Sequence, residues 1–318
     1  MTDELVDYGG AHTSLEGLIR ERFAARDLNL WKQRKVLSSM TGLHQSNLRG
    51  RGIDFSEVRV YQPGDDIRTI DWRVTARTQK THTKVFHEER ERPVMIMLDQ
   101  RQSLFFGSRL AFKSVTAAHT ASLLAWGALN HGDRVGGLVF SDQGLKEIKP
   151  KRSKHSVLQF LNTVHSYNQA LGKHSVERNR SALTEALIHA RRLVKPGTAL
   201  IIISDFTDLE DEAIGHLRQL TRHNDVVGVF VYDDMEKELP KPGMYQITNG
   251  EKRALISTQG QRTRENYRQQ FEQRKELIQN TLTRSGMPLI LAPTHIPASD
   301  TLRDILGMKV RGRSRHYG

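Results

Sequence analysis

Four short apolar runs, each followed within two residues by an aspartate, constrain the fold of this chain more than any other feature. The runs span residues 94–98, 135–140, 199–203 and 226–232. Continuous apolar runs of this length are typical of strands that are covered on both faces, as in a largely parallel sheet. Because helical patterns alternate with the runs, the sequence predicts an α/β fold with a doubly wound, mostly parallel sheet flanked by helices.

The segments around these runs predict the remaining elements. Apolar residues at helical spacing predict helices over 108–130, 183–194, 208–222, 261–285 and 300–306, and a last strand lies at 288–291. Upstream, the sequence predicts a helix over 13–40, a short helix over 67–77 and a strand over 81–87. We therefore divide the chain into an N-terminal α+β accessory region (1–92), an α/β domain (93–308) and a basic flexible tail (309–318).

The composition excludes several classes of protein. The 318 residues include no cysteine, which excludes disulfide scaffolds, thiolate metal sites and cysteine nucleophiles. No window approaches the about 20 apolar residues of a membrane-spanning helix. The acidic N-terminus lacks the basic and apolar regions of a secretory signal. We expect a cytoplasmic protein without membrane spans.

The chain is strongly basic, with 48 Lys and Arg against 36 Asp and Glu, a formal net charge of +12. Such a surplus is typical of proteins that bind nucleic acid or acidic partners. The densest basic stretches lie at 149–154, 178–180 and 309–315. No zinc-finger spacing, basic zipper or aromatic RNA-binding motif accompanies them. We interpret the charge as solvated or protein-facing, with nucleic-acid binding unsupported by a motif.

Polar side chains collect at the carboxyl ends of the predicted strands, where ligands bind in doubly wound folds. They are Asp99, Ser103, Asp142, Ser204, Asp205, Asp233 and Asp234. Two interpretations stay open for them. Each Asp can cap the helix that follows its strand, or the carboxylates can gather as the hard oxygen ligands that Mg²⁺ prefers.

A long motif precedes the first of these strands. Residues 49–72 read RGRGIDFSEVRVYQPGDDIRTIDW, and the motif continues through 76–78 (ART), 84–86 (KVF) and 88–93 (EERERP). This motif resembles the signature of the bacterial domain-of-unknown-function family 58, whose members resemble von Willebrand factor A domains and are associated with MoxR-type AAA+ ATPases. The residues that carry the signature are Arg59, Tyr61, Gly64, Asp65, Asp66, Arg68, Asp71, Trp72, Arg77, Lys84 and Glu88.

The resemblance also implies a metal site. Von Willebrand A domains hold a metal with an Asp-x-Ser-x-Ser loop, a Thr and a later Asp, which fall here on Asp99, Ser103, Ser181 and Asp205. Arg101 stands where the first serine ligand is expected, and a guanidinium cannot coordinate a cation. Our hypothesis is a degenerate, metal-free site in which Arg101 takes the cation's place, pairs with Asp99 or Asp205 and receives a partner's carboxylate. In the alternative, Arg101 swings outward and a weak Mg²⁺ or Mn²⁺ site survives.

No enzyme motif was found. The chain lacks a Walker loop, a complete dinucleotide fingerprint and a Gly-x-Ser-x-Gly elbow. The resemblance implies a non-enzymatic adaptor or chaperone-like partner that couples a MoxR-type ATPase to an unknown client protein. Two alternatives are a basic RNA-binding protein and a metal-dependent nuclease that uses Asp99, Asp205 and Asp233 or Asp234.

The signature itself allows two interpretations. Its charged residues would form internal salt-bridge networks or a surface for a partner. Trp72 lies between Ile70 and Val74, and we expect it to be a core anchor.

Overall fold

A computed structural model describes residues 10–27, 54–63, 65–87, 93–172, 177–248 and 253–305. The chain forms two units, the larger comprising residues 1–45 and 92–318 and the smaller residues 46–91. The predicted tail at 309–318 and the signature residues Gly64 and Glu88 lie outside the described residues. In the described ranges, no helix is both long enough and apolar enough to cross a membrane.

The helices and strands are numbered in chain order. The helices are α1 (Leu15–Ala24), α2 (Trp72–Thr78), α3 (Lys113–Asn130), α4 (Lys154–Ala170), α5 (Ala182–Leu193), α6 (Asp211–Thr221), α7 (Asp234–Lys237), α8 (Gln261–Arg284) and α9 (Ala298–Ile305). The strands are β1 (Asp54–Val60), β2 (His82–His87), β3 (Pro93–Asp99), β4 (Arg134–Ser141), β5 (Gly144–Lys151), β6 (Ala199–Ser204), β7 (Asp225–Tyr232), β8 (Met244–Thr248), β9 (Arg253–Ser257) and β10 (Leu289–Pro293).

The larger unit is built on a six-stranded sheet in the order β10-β7-β6-β3-β4-β5. Its strands are parallel except β5, which runs antiparallel to β4 at the edge. Residues of α1, α3, α4 and α9 pack into one hydrophobic core on one side of the sheet, and residues of α5, α6 and α8 pack into a second core. This arrangement confirms the predicted α/β class with a doubly wound, mostly parallel sheet.

The four apolar runs form β3, β4, β6 and β7, and almost every residue of β3 is buried. Among the described helices and strands of the larger unit, β5, α4, α7 and the β8–β9 hairpin have no counterpart in the sequence prediction. Strand β5 buries only Ile148 and contains a proline, so it shows no continuous apolar run. The basic stretch at 149–154 includes the last residues of this edge strand. Lysines on an edge strand discourage pairing with another chain.

Helix α1 belongs to the larger unit, which differs from the predicted division that grouped it with the signature. Leu18 is fully buried, and Ser122 of α3 donates a hydrogen bond of 2.6 Å to its carbonyl oxygen. The Nδ1 of His119 lies 2.7 Å from Glu21 Oε1, and both side chains are buried. Contacts with α3, and not neighbours in sequence, therefore decide where α1 lies. The predicted helix at 13–40 ends at Ala24 and a short 3₁₀ turn, and residues 28–40 lie outside the described ranges.

The smaller unit pairs β1 with β2 as an antiparallel ribbon, with a 3₁₀ turn (Ile67–Thr69) and α2 between them. Asp66 accepts a hydrogen bond from the backbone N–H of Arg68 and caps the turn, and Asp71 caps α2. Trp72 is 70% exposed, so its interpretation as a core anchor is wrong. The physical reason is size, because a two-stranded ribbon and a seven-residue helix bury little apolar surface.

Candidate functional site

The site lies where the carboxyl ends of three neighbouring strands meet. Asp99 ends β3, Asp205 follows β6, and Asp233 follows β7. From β3 the chain proceeds outward to β4 and β5, then returns to β6 on the other side of β3 and proceeds to β7 and β10. The gap between β3 and β6 is thus the point where strand order reverses, which is the usual ligand-binding crevice of a doubly wound sheet.

The guanidinium of Arg101 fills this crevice. Its Nε lies 3.0 Å from both carboxylate oxygens of Asp99, and its Nη2 lies 2.7 Å from Asp99 Oδ2. The same Nη2 lies 3.6 Å from Asp205 Oδ1. The backbone N–H of Arg101 also donates to Asp99 Oδ1, which turns the chain so that the side chain folds back over the strand end. Arg101 is 2% exposed, so it is a buried part of the site.

A second buried cation, Lys113, lies on the other side of Asp205. Its Nζ is 3.1 Å from Asp205 Oδ2 and 2.8 Å from Glu236 Oε1. Lys113 is the first residue of α3, where the helix dipole disfavours a cation. Two carboxylates compensate for that position and for its burial. Asp205 is therefore held between two cations, Arg101 and Lys113.

The loop after β6 is shaped around Arg101. Phe206 and Asp208 have φ angles of 48° and 64°, in the left-handed region that non-glycine residues rarely adopt. This conformation places the carbonyl oxygen of Thr207 3.2 Å from Arg101 Nη2 and the carboxylate of Asp208 3.5 Å from Nη1. From α8, Arg274 donates to the Asp205 carbonyl and to Thr207 Oγ1. Strain in the loop thus coincides with contacts to the buried guanidinium.

Burial and charge act in opposite directions on the ionisation of these groups. Burial disfavours the charged form of Asp205, but the cations Lys113 and Arg101 outweigh it and hold the pKa of Asp205 well below its usual range. Burial likewise opposes the charge on Lys113, but Asp205 and Glu236 raise its pKa. Asp205 and Lys113 are therefore an ionised pair at neutral pH.

The charge of Asp99 is compensated by a single cation, Arg101, whereas Asp205 has two cations beside it. Burial raises the pKa of Asp99, and the Arg101 guanidinium opposes that rise. Ser204 donates to Asp99 Oδ2 at 2.6 Å, so donors from Arg101 and Ser204 surround both oxygens. This is the environment of a carboxylate, which accepts hydrogen bonds and donates none.

The predicted metal ligands are only partly brought together. Asp99 and Asp205 flank Arg101, whereas Ser181 is exposed at the start of α5, where its backbone N–H donates to Asn179 Oδ1. The Oγ of Ser103 is buried and has no hydrogen-bond partner among the described residues. Such a hydroxyl would suit a cation, but the two predicted carboxylate ligands, Asp99 and Asp205, already pair with Arg101 and Lys113. The residues present therefore do not fit a metal ion.

Arg101 is 2% exposed, so in this structure its guanidinium lies inside the site. The outward swing of Arg101 and its pairing with a partner's carboxylate stay predictions. The contacts of Arg101 are with Asp99, Asp205, Asp208 and the Thr207 carbonyl. The guanidinium stabilises the interior of the site and does not present itself at the surface.

Two of the other strand-end acids, Asp142 and Asp233, accept hydrogen bonds from backbone N–H groups. Asp142 accepts hydrogen bonds from the N–H groups of residues 102 and 179. Asp233 forms a capping box with Glu236 on α7, and its Oδ2 accepts from Thr294 Oγ1 at 2.5 Å and from the Ser108 N–H. In the part of the chain that is described, no group of three or more His, Asp or Glu side chains is arranged to hold a metal ion.

Within the smaller unit, the signature residues divide into two sets. Asp65 pairs with Arg59 at 2.7 Å, and Asp71 lies 3.7 Å from the Nζ of Lys84. These pairs are internal to the unit. Arg68, Trp72 and Arg77 are exposed, whereas Tyr61 is half-buried.

Sequence reasoning missed three residues of the cluster: Lys113, Glu236 and Arg274. Glu236 had a signal, because Asp233 followed three residues later by Glu is a capping-box pattern. No feature of the sequence pointed to Lys113, because it lies 92 residues from Asp205 in the chain and resembles any other lysine near a helix start.

The fold and the site together define a doubly wound α/β protein whose ligand crevice is filled by its own buried ion pairs. The comparison with known families identifies it further: residues 57–277 match the family described as Protein of unknown function DUF58, and the chain belongs to it. The family resemblance stated from the signature is thereby confirmed.

Three curated relatives are described as uncharacterized proteins. The chain is 28% identical over 228 residues to the uncharacterized protein Rv1480 of Mycobacterium tuberculosis, covering 72% of this chain and 70% of that protein. The same values hold for the uncharacterized protein Mb1516 of Mycobacterium bovis.

Likeness to solved structures is weak. The conserved hypothetical protein BatB of Bacteroides thetaiotaomicron is 14% identical with a TM-score of 0.35, covering 61% of this chain and 98% of that chain. Proximal thread matrix protein 1 of the mussel byssus is 12% identical with a TM-score of 0.32, covering 44% of this chain and 37% of that chain.

Proposed function

We propose that the protein is a non-enzymatic, cytoplasmic adaptor or chaperone-like partner of a MoxR-type AAA+ ATPase, with a von Willebrand A-like larger unit. One observation carries the non-enzymatic part of the proposal. The crevice in which doubly wound proteins bind ligands holds the guanidinium of Arg101, paired with Asp99 and near Asp205. The ATPase partner is what the family resemblance implies.

The chemistry of the cluster supports a fixed scaffold. General acid–base catalysis needs a group that exchanges protons near the working pH, and a nucleophile needs an adjacent base. Asp205 is held ionised between Arg101 and Lys113, and Arg101 stays charged in this acidic surrounding. A buried cluster of ion pairs of this kind orders three strand ends, and its members Asp205 and Arg101 stay charged and exchange no proton at neutral pH.

Binding to the ATPase tests the adaptor function. The purified chain and the MoxR-type ATPase of its own source organism are mixed with and without ATP, and binding is measured by calorimetry together with the rate of ATP hydrolysis. We expect a stable complex and a changed hydrolysis rate. An ATPase that neither binds nor changes its rate contradicts the adaptor function.

Metal titration and nuclease assays test the scaffold role of the cluster. We expect no micromolar binding of Mg²⁺ or Mn²⁺ to the native chain. Binding should appear only in the double variant Arg101→Ser with Lys113→Ala. The single variant Arg101→Ser is the matched control, because Lys113 remains 3.1 Å from Asp205 in it. Cleavage of RNA or DNA that requires Mg²⁺ and is lost in Asp205→Ala would establish the nuclease alternative instead.

A further inference from the structure

Basic residues of the larger unit collect at one end of its sheet, where the parallel strands begin. Residues 131–134, 191–198, 218–225 and 284–288 lead into β4, β6, β7 and β10, and residues 149–155 carry the end of the antiparallel β5 and the start of α4. We call these five segments the basic end. They contain seven Arg and four Lys, all exposed, against two Asp, a surplus of nine positive charges.

Backbone contacts place the five segments side by side. Lys151 pairs with Val135 across β5 and β4. On the other side of β3, the N–H of Gly197 donates to the His223 carbonyl at 2.8 Å, and the Pro288 carbonyl accepts a hydrogen bond of 2.9 Å from β7. The cations therefore share one end of the larger unit, although the sequence spreads them from residue 134 to residue 284.

The carboxylates at the basic end are too few to neutralise its cations. The two in the five segments are Asp133, which is 3% exposed, and Asp225, which is half-buried. Residues 88–92, which lead into β3 and lie outside the described ranges, read EERER and change the sum by one negative charge. Because the whole chain has a formal net charge of +12, most of its surplus lies at this end.

Helix dipoles explain only part of this pattern. Arg191 and Arg192 lie in the last turn of α5, Arg218 in that of α6 and Arg284 in that of α8, where the dipole favours cations. Helix α4 is the opposite case, because its first residue is Lys154 and its first turn holds no acid. There the positive end of the dipole adds to the charge of the side chains, and an external anion would offset both.

We propose that the basic end binds the phosphate backbone of a nucleic-acid duplex without reading its bases. Six strands spaced about 4.8 Å apart make this end roughly 25 Å long. A duplex of that length carries roughly 14 phosphates. Their neutralisation by Lys and Arg supplies essentially all of the free energy of sequence-independent binding. The inference goes beyond the proposed adaptor function and does not depend on the ATPase.

The residues beside the cations favour a duplex over other anionic partners. The five segments contain no Phe, Tyr or Trp, whereas single-stranded nucleic acids stack their bases on aromatic side chains. In these segments no large apolar side chain is exposed. Protein interfaces have an apolar core, and helices that lie on membranes insert apolar side chains. Duplex interfaces are instead polar and strongly positive.

The first experiment measures Kd for short labelled duplexes of DNA and of RNA by fluorescence anisotropy, and the lower Kd identifies the preferred duplex. Two double variants, Lys151→Glu with Lys154→Glu and Arg192→Glu with Arg222→Glu, change different halves of the basic end. Each should raise Kd at least tenfold. The wild-type Kd should rise about 10³-fold between 50 and 200 mM salt. Each double variant should reduce the salt slope by about 2.

The matched control is Lys241→Glu with Arg262→Glu, which changes the net charge by the same amount. Both side chains are exposed. Arg262 lies in the first turn of α8, about 33 Å along the helix from Arg284, and Arg264 of the same turn donates to the Leu239 carbonyl near Lys241. The control should stay within twofold of wild type. Circular dichroism and thermal unfolding establish that every variant is folded.

A second experiment needs no variant. Bound duplex should protect Lys151 and Lys154 from acetylation, as measured by mass spectrometry, and should leave Lys241 reactive. Equal weakening by the control variant, or equal protection of Lys241, would show attraction to the overall charge and overturn the inference. It is also overturned if no duplex binds, if single strands bind more tightly, or if only vesicles rich in phosphatidylserine bind. An ATPase that does not bind contradicts the proposed function alone.

Discussion

Replacing Arg101 by alanine removes the guanidinium that neutralises Asp99 in the interior. Three hydrogen bonds to Asp99 and one to the Thr207 carbonyl disappear, and Asp205 loses a cation at 3.6 Å. Asp99 keeps the hydroxyl of Ser204 and a backbone N–H. Breaking a buried pair by removing one partner costs about 3–5 kcal/mol, because a buried charge remains uncompensated. For a unit of this size that loss lowers Tm by roughly 6–20 °C.

The assay is urea and thermal unfolding of the wild type, Arg101→Ala and the matched control Arg178→Ala. Arg178 makes two hydrogen bonds of 2.8 Å to Asp208, but its side chain is 50% exposed. An exposed pair contributes about 0.2–1 kcal/mol. The two variants thus remove arginines from charged hydrogen bonds of similar length and differ mainly in burial.

The dependence on pH gives a second, independent readout. Without Arg101, burial raises the pKa of Asp99 further above its unfolded value of about 3.9. A group whose folded pKa is raised loses its stabilising effect as pH rises through that pKa. We expect Arg101→Ala to be more destabilised relative to wild type at pH 8 than at pH 5. A loss below about 1 kcal/mol with no such pH dependence would refute the buried ion-pair reasoning.

Three further predictions concern other parts of the larger unit. The depressed pKa of Asp205 stabilises the fold above its unfolded value of about 3.9, so wild-type stability should fall as pH drops below about 5, and Asp205→Asn should flatten that part of the urea-unfolding profile. Gly137→Ala places a Cβ 2.3 Å from the ring of Phe160 and should lower the free energy of unfolding by about 1–3 kcal/mol. Gly215→Ala meets open space within α6 and should raise the free energy of unfolding by about 0.5–1 kcal/mol. Chemical denaturation measures both. Leu18→Ala should destabilise the larger unit by about 2–5 kcal/mol in thermal unfolding, and an unchanged Tm would show that α1 does not pack on α3.

The elements predicted well are those whose burial is uniform along the chain. Strands β3, β4, β6 and β7 are covered by helices on both faces, so their sequences are continuous apolar runs that need no partner to be recognised. Half of the residues of β5 and four of the five residues of β9 are exposed, and neither strand has such a run. Their formation depends on a neighbouring strand, which is not visible in the local sequence.

The candidate site was predicted in part for a related reason. The sequence pattern pointed to Asp99 and Asp205, because each lies at the end of an apolar run. The family resemblance pointed to Arg101, which stands where the family's loop has a serine. The sequence did not locate Lys113, whose partners Asp205 and Glu236 are 92 and 123 residues away in the chain. It also failed for Trp72, because an apolar neighbourhood in sequence does not show whether a unit is large enough to cover a tryptophan.

By itself, the sequence determined the α/β class and the acidic strand ends, since periodicity and residue type are local properties. The family resemblance pointed to Arg101 among them. The tertiary structure decided which charges meet. It placed Arg101 against Asp99 at 2.7 Å, set Lys113 on the far side of Asp205, attached α1 to α3 and left Trp72 exposed. The physical reason is that electrostatic energy and burial depend on distance and on the surrounding medium, and both arise only when remote segments pack together.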